Sequence, residues 1–224
     1  MSNDLPAPGE IRTFLIDGPS GAIEAMLQAP RTPAVAGYAV VCHPHPLFGG
    51  AMSNKVTYTL ASSAQQAGYY ALRFNFRGVG RSAGQHDEGR GEVDDTVFVA
   101  EWLRQRVQEQ LPEAPLLLAG FSFGAWVSVA AAARLKPSTQ VSIAPPFAKY
   151  AGDAPQPPRP PCPWLVVHGR DDEVVAYEET VAALKIYDPP PELVTMDGVG
   201  HFFHNRLADL GNVVLPFMQA HAGL

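Results

Sequence analysis

Leu116-Leu117-Leu118-Ala119-Gly120-Phe121-Ser122-Phe123-Gly124-Ala125-Trp126-Val127 joins two kinds of sequence with nothing between them. The first six residues are an unbroken apolar run of strand length, and the stretch from Phe123 to Leu135 is alanine-rich and reads as a helix ending before Pro137. A chain that passes from strand to helix within one residue must turn sharply. Gly120 and Gly124 flank the turn because Cβ atoms there would meet where strand and helix nearly touch. Such a turn lifts the Ser122 hydroxyl above the sheet edge, and the backbone N–H of Phe123 opens the helix, aimed where an oxyanion would form. The Gly-x-Ser-x-Gly pattern alone is weak. Its position at a buried strand and a small-residue helix separates it from the competing reading, a serine at an ordinary helix N-cap.

Working outward, the chain alternates in type. Arg12–Ile16 and Ala22–Gln28 are alternating stretches split by Asp17-Gly18-Pro19-Ser20-Gly21, the pattern of a hairpin. Tyr38–Cys42 reads as a buried strand, Asn54–Ala67 as a helix, Tyr69–Asn75 as a strand and Val93–Gln110 as a helix with apolar residues at helical spacing. After the elbow come strands at Gln140–Ala144, Trp164–Val167 and Glu192–Met196, a helix near Tyr177–Ile186, and a closing helix over Asn205–Ala220, irregular near Pro216. Alternating β and α segments with continuous apolar strands imply an α/β fold, a mostly parallel sheet of about seven to eight strands with helices on both faces. Ala144–Pro163 carries eight prolines and predicts an extended loop, since proline lacks an N–H and fixes φ.

The bulk properties bound the function. A length of 224 residues suits one domain spanning 1–224 and can bury about 70% of its unfolded surface. A net charge of −6 with no basic run argues against nucleic acid as a partner. Two cysteines, Cys42 and Cys162, make neither a disulfide framework nor a metal-ligand spacing. The N-terminal stretch lacks a signal-peptide pattern and no apolar run approaches the ~18 residues of a membrane helix. The expectation is a cytoplasmic protein with no membrane partner, a monomer or small homo-oligomer.

A serine hydroxyl is a poor nucleophile without a base, and the base needs an orienting carboxylate. Two later loops offer them. His168-Gly169-Arg170-Asp171-Asp172-Glu173-Val174-Val175 follows the Trp164–Val167 strand, and Gly198-Val199-Gly200-His201-Phe202-Phe203-His204 follows the last strand. Both open at the carboxyl edge of the sheet, the edge on which the elbow also opens. Asp171 and Asp172 compete for the acid, His201 and His204 for the base. His43 and His168 at strand ends read as structural, and His86 and His221 carry no weight.

Gly120–Gly124, the His168–Val175 loop and the Gly198–Phe203 loop resemble, in this order, the three catalytic loops of the α/β-hydrolase superfamily. Asn75–Ser82 is similar to its turn after the fourth strand, and Cys42-His43-Pro44-His45-Pro46-Leu47-Phe48-Gly49-Gly50 to the oxyanion loop of its small, lidless, dienelactone-hydrolase-like bacterial members. The resemblance covers roughly residues 35–218. It implies Ser122 as nucleophile, Asp172 as acid by its spacing from His168, and His201 as base. Phe123 and the loop after Cys42 would supply the oxyanion donors. Pro44 and Pro46 have no N–H, which leaves His45 and Leu47, with His45 slightly favoured by its family position. Arg77 and Arg81 are expected to pair acids or carbonyls around their turn. The implied reaction is acyl transfer to water from a small-molecule ester, thioester or lactone, with no metal and no cofactor. Ala144–Pro163 stands at the usual lid position and is too short and proline-rich for a helical cap, so an open site is expected. A non-catalytic binding scaffold, a peptidase and an acyltransferase are the competing readings.

Overall fold

The computed structural model describes residues 5–149 and 156–222. Eight strands form one sheet: β1 (Ile11–Gly18), β2 (Gly21–Gln28), β3 (Gly37–Cys42), β4 (Tyr69–Phe74), β5 (Leu116–Phe121), β6 (Thr139–Ile143), β7 (Trp164–Gly169) and β8 (Glu192–Met196). Their order is β1-β2-β4-β3-β5-β6-β7-β8. β1 and β2 pair antiparallel, as do β2 and β4, and every pairing from β4 to β8 is parallel.

The helices are α1 (Lys55–Gln66), α2 (Arg90–Val107), α3 (Phe123–Leu135), α4 (Tyr177–Leu184) and α5 (Leu207–Ala220). Side chains alternate across the pleat and so build two cores. Tyr38, Val40, Leu116 and Leu118 face one layer with Val99 and Leu103 of α2, Val127 of α3 and Leu184 of α4. Ala39, Val41, Leu117 and Phe121 face the other with Leu60 of α1 and Leu210 and Val214 of α5. Strands buried on both faces have no polar side to show, which is why they read as continuous apolar runs.

Several boundaries differ from the sequence expectation, those of α2 and α5 for identifiable reasons. α2 starts at Arg90, not Val93, because Glu92 reaches back to accept the Gly89 N–H at 2.8 Å and caps an extra turn. It ends at Val107 rather than Gln110. α5 starts at Leu207 because Asn205, with φ 59°, cannot be helical. That helix runs unbroken through Pro216. The expected lid-position loop lies partly outside the described residues. Its described parts, 145–149 and 156–163, carry no helix or strand, so no cap covers the carboxyl edge among the described residues. The two cysteines are free and buried. No helix among the described residues is long and apolar enough to cross a membrane.

Candidate active site

The turn between β5 and α3 is strained where the sequence demanded it. Ser122 has φ 53° and ψ −124°, a region costly for a residue with a Cβ. Its N–H donates to Ile143 O at 2.8 Å, which ties the turn to β6. The flanking glycines are obligatory. A Cβ on Gly120 would lie 2.2 Å from Gly124 O, and one on Gly124 would lie 2.4 Å from His43 O.

A continuous set of hydrogen bonds leads from this serine. Ser122 Oγ lies 3.0 Å from His201 Nε2, and His201 Nδ1 lies 2.8 Å from Asp172 Oδ2. A carboxylate only accepts, so the imidazole carries its proton on Nδ1 and its Nε2 is left to accept from the serine hydroxyl. The two loops are lashed together by backbone: Arg170 N–H donates to Met196 O at 3.0 Å and Asp171 N–H to Val199 O at 3.1 Å. Gly169 permits that approach, since a Cβ there would strike Val199 O at 2.1 Å. Glu173 adds a third tie, its Oε2 accepting the His201 backbone N–H at 3.2 Å.

Asp172 is held from several sides. Oδ1 accepts the N–H groups of Val174 and Val175 at 2.9 and 2.7 Å. His168 Nε2 lies 3.3 Å from Oδ2 and 3.0 Å from Val175 O, both acceptors, so its proton sits on Nε2. Burial works to raise the Asp172 pKa, but the His168 and His201 hydrogen bonds and the Val175 N–H together hold it well below the usual carboxylate range. The rival candidates stand apart. The Asp171 side chain is exposed, and His204 is exposed with its ring against Phe202.

On the opposite side lies the loop after β3. Pro46–Phe48 form a 3₁₀ turn that sequence reading did not find, capped by His45, whose Nδ1 accepts the Leu47 N–H at 3.2 Å. Leu47 N–H is thus engaged by the His45 ring, while its side chain is 70% exposed. No acceptor among the described residues takes the His45 N–H. His43 is fully buried: Nδ1 lies 2.6 Å from Pro44 O and Nε2 accepts the Phe76 N–H at 3.0 Å. Burial pushes its pKa down to about 4 against the Pro44 carbonyl's upward pull. Arg77 grips Asp95 with Nε and Nη2 at 3.0 and 2.8 Å, as expected of a structural arginine.

His86, which sequence reading set aside, belongs to this region. Its ring centroid is 4.8 Å from that of His45 and 5.6 Å from that of Phe123. The buried Glu92 holds it through Nδ1 at 2.8 Å and also accepts the Asp87 N–H at 3.0 Å. The available signal was Glu92 three residues after Gly89, a helix-start pattern that ties the His86–Gly89 segment to α2. No group of three or more potential metal-ligating residues gathers among the described residues.

A model of the X-Pro dipeptidyl-peptidase (S15) family matches residues 22–155. An uncharacterized protein of Rickettsia prowazekii is 32% identical over 213 residues, covering 90% of this chain and 86% of its own. Among solved structures, an α/β serine hydrolase homologue from Coxiella burnetii is 40% identical with a TM-score of 0.85, covering 96% of this chain and 99% of that one. A lidless α/β serine hydrolase from Xanthomonas campestris is 39% identical at the same TM-score, covering 99% of each chain.

Proposed function

We infer the activity from its family: this chain belongs to the X-Pro dipeptidyl-peptidase (S15) family and is similar to a lidless α/β serine hydrolase. We propose that it is a serine hydrolase of small carboxylic esters, thioesters or lactones, with Ser122 as nucleophile, His201 as base and Asp172 as the acid that orients it. The observation that carries the reading is the unbroken hydrogen-bond chain from Ser122 Oγ through His201 to Asp172.

The chemistry runs in two halves. Ser122 Oγ attacks the carbonyl carbon as its proton passes to His201 Nε2, and the carbonyl π electrons collect on oxygen. The N–H groups of Phe123 and His45 stabilise that oxyanion; an amide of this kind is worth roughly 10²–10³ in kcat. The tetrahedral adduct collapses, the C–O or C–S bond breaks, and His201 returns the proton to the leaving atom. Water, deprotonated by His201, then attacks the acyl-enzyme and releases Ser122. Asp172 stays ionised throughout and stabilises the imidazolium.

Ser122→Ala tests this. Hydrolysis of p-nitrophenyl acetate should fall by several orders of magnitude with an unchanged circular dichroism spectrum, because the three residues act as a unit. Fluorophosphonate should label wild type and not the variant. Near wild-type turnover by the alanine variant would overturn the assignment, and an unlabelled wild type would favour a non-catalytic scaffold. The family match raises one second reading, a peptidase on the same residues. Gly-Pro-p-nitroanilide cleaved faster than any ester would establish it instead.

A further inference from the structure

Beside the proposed base lies a cleft lined by none of the three proposed catalytic residues. It has a volume of about 410 Å³ and lies between the start of α1 and the turn from His201 into α5. The turn's backbone makes it. Phe203 and Asn205 hold φ of 53° and 59°, which sends the Phe203 ring into the core and turns its neighbours Phe202 and His204 outward. Phe202, 44% exposed, stands edge-on to His201 with ring centroids 5.1 Å apart. One aromatic ring thus separates the cleft from the imidazole.

The lining is one-sided in charge. Its lining residues include Lys55, His204 and Asn205 beside the apolar Phe202 and Leu207, and no Asp or Glu is among them. Lys55 has no ion pair among the described residues, and the His204 ring nitrogens have no hydrogen-bond partner there. The helix amides are not the donors: Asn54 Oδ1 already accepts the N–H groups of Val56 and Thr57 at 2.9 and 3.3 Å. What remains is one lysine with the polar side chains of His204 and Asn205 beside an apolar wall, in a chain of net charge −6.

Position decides which part of a substrate arrives there. His201 Nε2 must hand its proton to the leaving atom, so the leaving group lies on the histidine side of the scissile bond, toward Phe202. We propose that this cleft receives the leaving group and recognises an anionic substituent on it, a carboxylate or a phosphate. The proposal rests on the hydrolase reading above.

The test compares 4-acetoxybenzoate with its neutral partner 4-acetoxybenzamide, on wild type and on Lys55→Gln, whose exposed side chain can change without unfolding the protein. Intrinsic reactivity cancels in the comparison. The wild-type preference for the anionic ester should fall by roughly three- to tenfold in the variant at low salt, chiefly through KM, as for one partly exposed charge contact. His204→Ala, which removes the ring's donor, should act in the same direction. Adding 4-acetoxyphenyl phosphate distinguishes the two anions, since the one the cleft fits shows the larger drop. An unchanged preference in both variants overturns the cleft and leaves the hydrolase reading standing. A drop confined to mono-4-nitrophenyl glutarate, with its charge on the acyl side, overturns the leaving-group assignment. Wild type inert toward all these esters overturns the hydrolase reading and the cleft with it.

Discussion

Two adjacent aspartates show how far a single residue's surroundings decide its chemistry. Asp171 and Asp172 differ by one step along the chain, yet the first is exposed and the second takes two backbone N–H groups on Oδ1 and two imidazoles on Oδ2. The consequence is asymmetric. Asp172→Asn places an amide against His201 Nδ1, which favours the wrong tautomer and leaves Nε2 protonated, unable to accept from Ser122. We expect kcat on p-nitrophenyl acetate to fall by on the order of 10⁴-fold. Asp171→Asn should stay within about twofold of wild type, and the reverse pattern would move the acid to Asp171. Because Asp172 is held far below the usual carboxylate range, it remains ionised wherever the enzyme would be assayed, so an acid-side loss of activity there reports another group. In the sequence both aspartates were open, and only the family resemblance, through the spacing from His168, favoured Asp172. That His168 also touches the carboxylate depends on the loop folding back, which no spacing reveals.

Between elements, the loops after β3 and β4 are joined by one buried imidazole. His43 donates from Nδ1 to Pro44 O and accepts the Phe76 N–H on Nε2, a pattern only the neutral ring can make. Burial holds its pKa at about 4, with the charge of neighbouring His45 acting in the same direction. The unfolded chain would protonate the residue near ~6.5. Between these values the unfolded state binds the extra proton, so stability rises with pH and is lost as pH falls from about 6.5 toward 4. The loss is on the order of 3 kcal/mol, from a gap of about 2.5 units. Urea midpoints measured across that range should fall steeply for wild type and less steeply, by close to one proton, for His43→Gln. Parallel slopes would show that His43 does not carry this dependence. Element boundaries were legible wherever apolar runs met glycine or proline, as at β5, α3 and β8. The 3₁₀ turn at 46–48 was not, because it is capped by a ring turning back on Leu47, and the early start of α2 was missed although Glu92 signalled it.

At the scale of the whole molecule, the sheet and its two helical layers could be read from the sequence because burial on both faces leaves a plain apolar signature. The surroundings of the site could not, since the approach of His86 to His45 and the cleft beside Phe202 arise from segments far apart in the chain. The architecture has a consequence for substrate size. All the proposed chemistry sits at the carboxyl edge of the sheet, and no cap covers that edge among the described residues. Two apolar side chains of the loop after β3 stand in the open: Phe48 is 86% exposed and Leu47 70%. A side chain so exposed cannot wall a tunnel. Each methylene buried in an enclosed acyl pocket contributes about 0.8 kcal/mol, enough to raise kcat/KM nearly fourfold per carbon. On an open rim an added carbon stays in water and contributes little. Across a series of p-nitrophenyl esters, kcat/KM should therefore peak between acetyl and butyryl and level or fall beyond. A steady climb to palmitoyl, measured below the micelle concentration of each ester, would require an enclosed acyl pocket and would show that the edge closes when substrate binds.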